Sequence, residues 1–370
     1  ERKYMKGMYD LVVYYIIQVH MTKKERVLKA IQHKEPDRIP KGELYIDPGL
    51  SNKLLGKEYP LDYFNLQRDL EVRKLLCIDI INLGEWPSEE IGIDENGNKR
   101  FRSIYGEEYI FNGKSKHIVK PPFGDIEDAN RYAVPDIKKC TGKIIEEYVS
   151  NTDMFVMAQI GGPISMINEM LGMEDYLVYC MTNVNEIISI GEKIMEYEIA
   201  KAKLFIDKKA DAILIADDMA FNSGTLFHPD LMRKVAFPFY TQAIKEIKKY
   251  KDVSVFLHSD GNIMKVMDDI VESGFDGLQS LQPSAGMDIA KIKKCYGDVL
   301  CLMGNIDLDY IMTFASPAEV EETVKKTIDI AAPGGGFILS TCNILVDIIP
   351  PENALCMYRT GHEYGVYKGI

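Results

Sequence analysis

Val253-Ser254-Val255-Phe256-Leu257-His258-Ser259-Asp260-Gly261-Asn262 is the stretch on which the fold of this chain turns. Val253 to Leu257 is an apolar run bounded by polar residues, the composition of a strand buried on both faces of a parallel sheet. It ends in His258 and Asp260, and Gly261 then breaks it. Residues two apart on a strand point to one side, roughly 6.6 Å apart along the chain, so both side chains can lean onto one ion. The pattern returns near the C-terminus. After Gly334-Gly335-Gly336, the run Phe337-Ile338-Leu339-Ser340-Thr341 ends in Cys342 and Asn343. A single barrel containing both runs places His258, Asp260 and Cys342 at its mouth.

Working outward, short apolar runs alternate with longer amphipathic stretches, the mark of parallel strands joined by crossover helices. Eight runs read as strands: 42–47, 77–83, 154–160, 212–216, 253–257, 277–281, 299–303 and 337–340. Helical periodicity fills the gaps most clearly at 164–172, 184–208, 229–250, 262–273, 287–296, 317–331 and 351–359. Eight strand–helix units in order predict a (β/α)8 barrel. A doubly wound sheet is the rival, and the number of strands alone does not exclude it. The alternation breaks at 88–136, where Asp94-Glu95-Asn96-Gly97 reads as a hairpin turn between short strands. This predicts a small antiparallel insertion after the second strand, serving either as a pocket wall or as decoration.

Thr22 and Glu25 have capping-box spacing, so the helix over 22–34 opens the domain. Residues 1–20 read as an N-terminal helical extension and 21–370 as one barrel domain. The apolar stretch Leu11 to Gln18 is too short to span a bilayer, and neither a signal peptide nor a membrane anchor is expected.

The 370 residues carry a net charge of −12, with 46% hydrophobic and 27% charged residues. Such an acidic chain is a poor partner for nucleic acid or an anionic membrane surface. Small molecules and other proteins remain, and a homodimer is allowed for. The seven cysteines are dispersed, without CxxC spacing, which points to a reducing compartment and a cytoplasmic location.

Barrel active sites form at the C-terminal ends of the strands. Those ends carry Glu43 and Tyr45, then Glu85 and Trp86, Gln159, Asp217 and Asp218. His258 and Asp260 follow, then Gln279, Asn305, and finally Cys342 with Asn343. The set is rich in acceptors and holds neither arginine nor lysine, so it suits a cation or a neutral substrate. His258, Asp260 and Cys342 are the candidate metal ligands, since zinc takes imidazole, carboxylate and thiolate and leaves a fourth position open in catalytic sites. Asp217, Asp218 and Glu43 are candidate catalytic carboxylates. Asp217 and Asp218 have three open roles: another ligand, a substrate contact, or a cap on the next segment. Tyr45, Glu85, Gln159, Gln279, Asn305 and Asn343 are candidate substrate contacts.

Several motifs together resemble the uroporphyrinogen decarboxylase superfamily. They are Lys24-Glu25-Arg26-Val27-Leu28-Lys29-Ala30-Ile31, Pro36-Asp37-Arg38-Ile39-Pro40, Gly161-Gly162-Pro163, Asp217-Asp218 and His228-Pro229. Gly304-Asn305-Ile306-Asp307 and Pro350-Pro351-Glu352-Asn353 complete the set. The resemblance covers about 21–366 and implies a (β/α)8 barrel. True decarboxylases of the family carry an arginine-rich segment after the first strand, whereas this chain has Glu43-Leu44-Tyr45-Ile46-Asp47. The chain is therefore more similar to the branch of cobalamin-dependent methyltransferases, whose zinc is held by a His-x-Cys pair and a distant cysteine. His258 and Cys342 match the outer two, with Asp260 in the middle place. The resemblance implies a zinc-dependent transfer of a methyl group between a small substrate and the cobalt of a corrinoid on a separate corrinoid-binding protein. The small substrate is of methoxy or methylamine type, or a thiol. A decarboxylase, or a non-catalytic protein that binds a tetrapyrrole or corrinoid, is the alternative.

Overall fold

The computed structural model describes residues 21–111 and 116–367; the expected extension over 1–20 lies outside them. Strand β1 (Ile80–Gly84) is followed by an antiparallel insertion of β2 (Ser88–Ile93), β3 (Lys99–Ser103), β4 (Glu108–Phe111) and β5 (Lys116–Lys120). The chain returns through β6 (Phe155–Gly161) and β7 (Ala212–Ala216), and then forms a short hairpin of β8 (Ala220–Phe221) and β9 (Gly224–Thr225). Next come β10 (Ser254–Ser259), β11 (Gly277–Ser280), β12 (Cys301–Ile306) and β13 (Phe337–Thr341). The order β1-β6-β7-β10-β11-β12-β13 is sequential, and every pairing in it is parallel.

The expected first strand, 42–47, is the exception to regularity. Its segment bridges both edges of the sheet without forming a continuous ladder. Gly42 N donates to Leu339 O at 2.9 Å and Asp47 N to Leu345 O at 2.8 Å on one side; Asp79 N donates to Lys41 O at 2.7 Å on the other. Pro40 and Pro48 bracket it and remove amide donors, and Gly42 lets the backbone sit against the interior. A Cβ there would lie 2.6 Å from the Met303 side chain. The segment takes the eighth staves' place and closes the (β/α)8 barrel.

Period-two alternation sorts the barrel interior into layers. Leu44, Ile80, Phe155, Met157, Ala212, Leu214, Phe256, Cys301, Met303 and Ile338 form an apolar cluster that fills it. Val27, Ala30 and Ile31 belong to the same cluster, so the helix Lys23–Ile31 plugs the base. Its predicted capping box is present: Thr22 accepts from the Glu25 amide and Glu25 from the Thr22 amide. Two residues further up, the same face of β1, β6, β10, β11 and β12 carries Asn82, Gln159, His258, Gln279 and Asn305, a polar layer above an apolar one.

The helix expected over 229–250 is two helices, Pro229–Val235 and Phe237–Tyr250. Pro238 has no amide hydrogen and crowds the preceding turn, and the chain bends at Ala236, with φ −132°. The insertion forms a four-stranded sheet in the order β2-β3-β4-β5, and Gly97 takes its turn at φ +83°. No helix among the described residues is long and apolar enough to cross a membrane.

Candidate active site at the barrel mouth

His258 is set by the strand that decided the fold. It lies one pleat above Phe256, inside the barrel, while Ser259 faces the other way and accepts from the Met219 amide at 3.1 Å. The His258 Nδ1–H donates to Gln279 Oε1, and Gln279 Nε2 donates in turn to Thr341 O at 3.4 Å. The amide of Gln279 is thereby oriented, the Nδ1 side of the His258 ring is held by it, and Nε2 is turned to the mouth.

Asp218 and Asp260 meet that nitrogen. Asp218 Oδ1 lies 3.6 Å from His258 Nε2 and accepts from the Asp260 amide at 3.0 Å. Asp260 Oδ2 accepts from Asn343 Nδ2, whereas Asp260 Oδ1 is buried with no hydrogen-bond partner. Burial raises the Asp260 pKa above the usual carboxylate range, opposed by His258 and reinforced by Asp218. Among the described residues, the ligand atoms of Asp218, His258 and Asp260 all lie within 4.8 Å of one another. An orphaned carboxylate oxygen, a second carboxylate and an imidazole nitrogen within 4.8 Å of one another fit a divalent cation.

Gly261 shapes this corner. Its φ is +81°, and a Cβ would stand 2.5 Å from the carbonyl oxygen of Ala220. The absence of a side chain lets the β8–β9 hairpin close over the end of β10, with Asn262 N donating to Phe221 O at 2.9 Å.

Cys342, expected as the third ligand, is not among the residues whose ligand atoms meet within 4.8 Å, although its thiol is near enough to feel the charge of Asp260. Its residue is 3% exposed, and burial pushes its thiol pKa up to about 12, with the Leu308 amide directed at the sulfur. The place beside His258 and Asp260 is taken by Asp218, whose side chain is 58% exposed.

Asp217 is a capping residue. Its carboxylate is buried and accepts from the amides of Ile164 at 3.1 Å and Ser165 at 2.5 Å, at the start of the helix Pro163–Leu171. The Tyr240 hydroxyl also donates to it. Burial raises its pKa to about 6 against these donors. Gly162 lacks a side chain where a Cβ would collide with that carboxyl.

Glu43 and Tyr45 face away from the interior, because Leu44 between them faces in. Glu43 is fully buried among the outer helices, accepting from Tyr358 Oη at 2.7 Å and Thr341 Oγ1 at 2.9 Å. Burial pushes its pKa up to about 7. Tyr45 stacks on Tyr63 with ring centroids 4.3 Å apart. Glu85, just past β1, is tied to the Thr141 amide at 2.6 Å. Gln159 accepts from Asn82 Nδ2 at 2.7 Å and lines the cavity beside His258. Asn305 is buried on β12, and Asn343 holds Asp260.

A cavity of about 380 Å³ opens beside the ligand group. The barrel supplies Asp217, Asp218 and His258. The insertion supplies the facing wall, including Ser103, Tyr105, Tyr109 and Lys116, and the helix Pro163–Leu171 adds Met166 and Glu169. Sequence reading did not single out these wall residues: alternation in β3 to β5 distinguishes two faces of a sheet but not which face covers a cavity. Lys116 is the basic residue among the described cavity-lining side chains, and it is paired with Glu107 at 2.9 Å and Glu169 at 2.7 Å. Arg100 and Arg102 of the insertion are both engaged by Glu108.

Residues 106–364 match the family model described as uroporphyrinogen decarboxylase (URO-D). The chain is 24% identical over 367 residues to the methylcobamide:CoM methyltransferase MtaA of Methanosarcina barkeri, covering 93% of this chain and 98% of that one. It is 24% identical over 231 residues to a uroporphyrinogen decarboxylase of Chlorobium luteolum, with 57% and 60% coverage. A solved methyltransferase from Methanosarcina mazei superposes with a TM-score of 0.74 at 19% identity, covering 93% of this chain and 99% of that one. That last likeness is one of fold.

Proposed function

The chain belongs to the uroporphyrinogen decarboxylase family, and we propose that within it this protein is a methyltransferase that passes a methyl group from a small donor to the cobalt of a corrinoid on a partner protein. The observation that carries this reading is the Asp218, His258 and Asp260 group beside a cavity whose described lining includes no arginine. A substrate bearing several carboxylates finds one lysine there, already held by two glutamates. The near full-length similarity to a methylcobamide:CoM methyltransferase supports methyl transfer that involves a corrinoid, although that relative's name describes the unloading direction.

Asp218, His258 and Asp260 would hold the metal, with zinc the first candidate. Bound there, a divalent ion supplies a Lewis acid that draws electrons from the heteroatom carrying the methyl group. The chain's own contribution is orientation. Gln279 keeps the His258 proton on Nδ1, Asn343 fixes one oxygen of Asp260, and the insertion wall limits water beside the reacting group. Two carboxylates and an imidazole form a harder donor set than thiolates. This favours activation of a methoxy or methylamine donor, the half-reaction that loads the corrinoid.

Exposed apolar side chains stand on the loops at the strand ends, among them Phe221, Tyr310, Phe314 at 74% and Ile348 at 68%. They offer a docking rim for the corrinoid protein. The free cysteines are consistent with a cytoplasmic place.

Two measurements test the proposal. Protein purified without a nickel column should carry about one equivalent of zinc, and the Asp218→Ala and His258→Ala variants should lose it. Equal zinc in all three removes the site. Wild-type protein given cob(I)alamin and a panel of methoxy and methylamine donors should form methylcobalamin, seen as a change in absorbance. A flat spectrum across the panel counts against methyl transfer.

A further inference from the structure

Trp86, the chain's one tryptophan, follows β1 and forms part of the cavity wall. Its indole is held from two sides. Gly84 leaves room for it, since a Cβ there would lie 2.8 Å from Trp86 Nε1. Lys201 Nζ sits 3.8 Å from the ring centroid. The Lys201 side chain is entirely buried, as is that of Glu198, its ion-pair partner at 2.9 Å. Glu198 also accepts from the Gly161 amide at 2.7 Å and from the hydroxyl of Tyr105.

A buried ion pair generally costs more in desolvation than its attraction returns, and apolar packing would join helix to sheet as well. Stability therefore does not account for Lys201. What this lysine does is place a buried positive charge 3.8 Å over the indole of a cavity-lining residue without lining the cavity itself. A ring whose quadrupole already serves one cation is a poor receptor for a second. With electron density drawn towards Lys201, the other face stacks best on an electron-rich ring.

We infer that Trp86 is the stacking platform for an electron-rich aromatic substrate, an aryl methyl ether, and that Lys201 is the positioning residue over it. The inference rests on the proposed methyl transfer for the methyl group; the stacking itself does not. Alkoxyarenes fit the 380 Å³ cavity, which lies between Trp86 and the His258 group.

Calorimetric titration of the full chain with three probes, 2-methoxyphenol, methoxycyclohexane and tetramethylammonium, tests it, with Trp86 emission reporting where they bind. The aromatic ether should bind saturably and perturb Trp86 emission. Methoxycyclohexane should bind about tenfold more weakly, the size of one lost aromatic stack. Trp86→Leu should erase that preference, Trp86→Phe should keep most of it, and Lys201→Met should shift selectivity towards tetramethylammonium. Should Lys201→Met fail to fold, the two Trp86 variants decide. Equal binding of the aromatic and saturated ethers, tighter binding of the cation to wild type, or an unchanged Trp86→Leu overturns the inference. Aromatic binding without methylcobalamin formation sinks the methyltransferase reading and leaves the platform standing. Methyl transfer from an aliphatic donor with no aromatic binding does the reverse.

Discussion

Gln279 bears on the proposed metal site through the ring of His258. Its carbonyl accepts the His258 proton and its amide is anchored on Thr341. Gln279→Leu removes the acceptor, frees the imidazole to rotate, and leaves a buried N–H unpaired. Zinc affinity should fall about 10- to 100-fold, the usual effect of removing such an outer partner, read by competition with a chromophoric chelator. Glu43 tests the opposite case, a carboxylate outside the mouth. Its pKa is raised from 4.5 to about 7 by burial, so between those values the folded state keeps a proton that the unfolded chain has lost. The stabilisation from its neutral form is complete below about pH 4.5 and disappears as pH rises through about 7. In urea unfolding, the stability of wild type relative to Glu43→Gln should fall on the order of 3 kcal/mol across that window. Metal content should be the same in both. A loss of zinc in Glu43→Gln would return this residue to the site.

At the scale of elements, turns position the ligands more than helices do. Gly261→Ala would force a side chain into a positive-φ position and into the Ala220 carbonyl. The expected loss is about 2–4 kcal/mol, measured by chemical denaturation, together with weaker zinc binding because Asp260 is the adjacent residue. The parallel strands were legible because each is a short apolar run, as in β7 and β10, and the placing of His258 and Asp260 at the mouth was legible because they end such a run. The segment 42–47 reads as a strand from its alternation, yet the flanking prolines deny it a full ladder. Its alternation also carried an overlooked signal: Gly42 and Leu44 are the inward pair, which sends Glu43 and Tyr45 out to the helices. Asp218 was within sight as a strand-end carboxylate, but spacing cannot tell which of two neighbouring aspartates turns back to cap a helix. Asp217 does so because the amides of Ile164 and Ser165 lie within its reach. The insertion's existence was written in Asp94 to Gly97; its role as a cavity wall depends on contacts far apart in sequence, such as Tyr105 with Glu198.

For the molecule as a whole, the ligand group ties the loop after β7 to the loop after β10. A ligand that binds the folded state alone stabilises it by mass action, about 2.7 kcal/mol at a hundredfold excess over its dissociation constant. Zinc should therefore raise the thermal midpoint of wild type by several degrees, and a chelator should reverse this, while Asp218→Ala responds to neither. An identical shift in that variant would place the zinc elsewhere. The plugged base has a further consequence. With Val27, Ala30 and Ile31 packed into the lower end among the described residues, the cavity is entered from the strand-end side, and the corrinoid protein proposed to dock there would stand in the way. Traffic must then be sequential: the small donor goes in before that entrance is blocked, and its demethylated remnant waits inside until the larger visitor leaves.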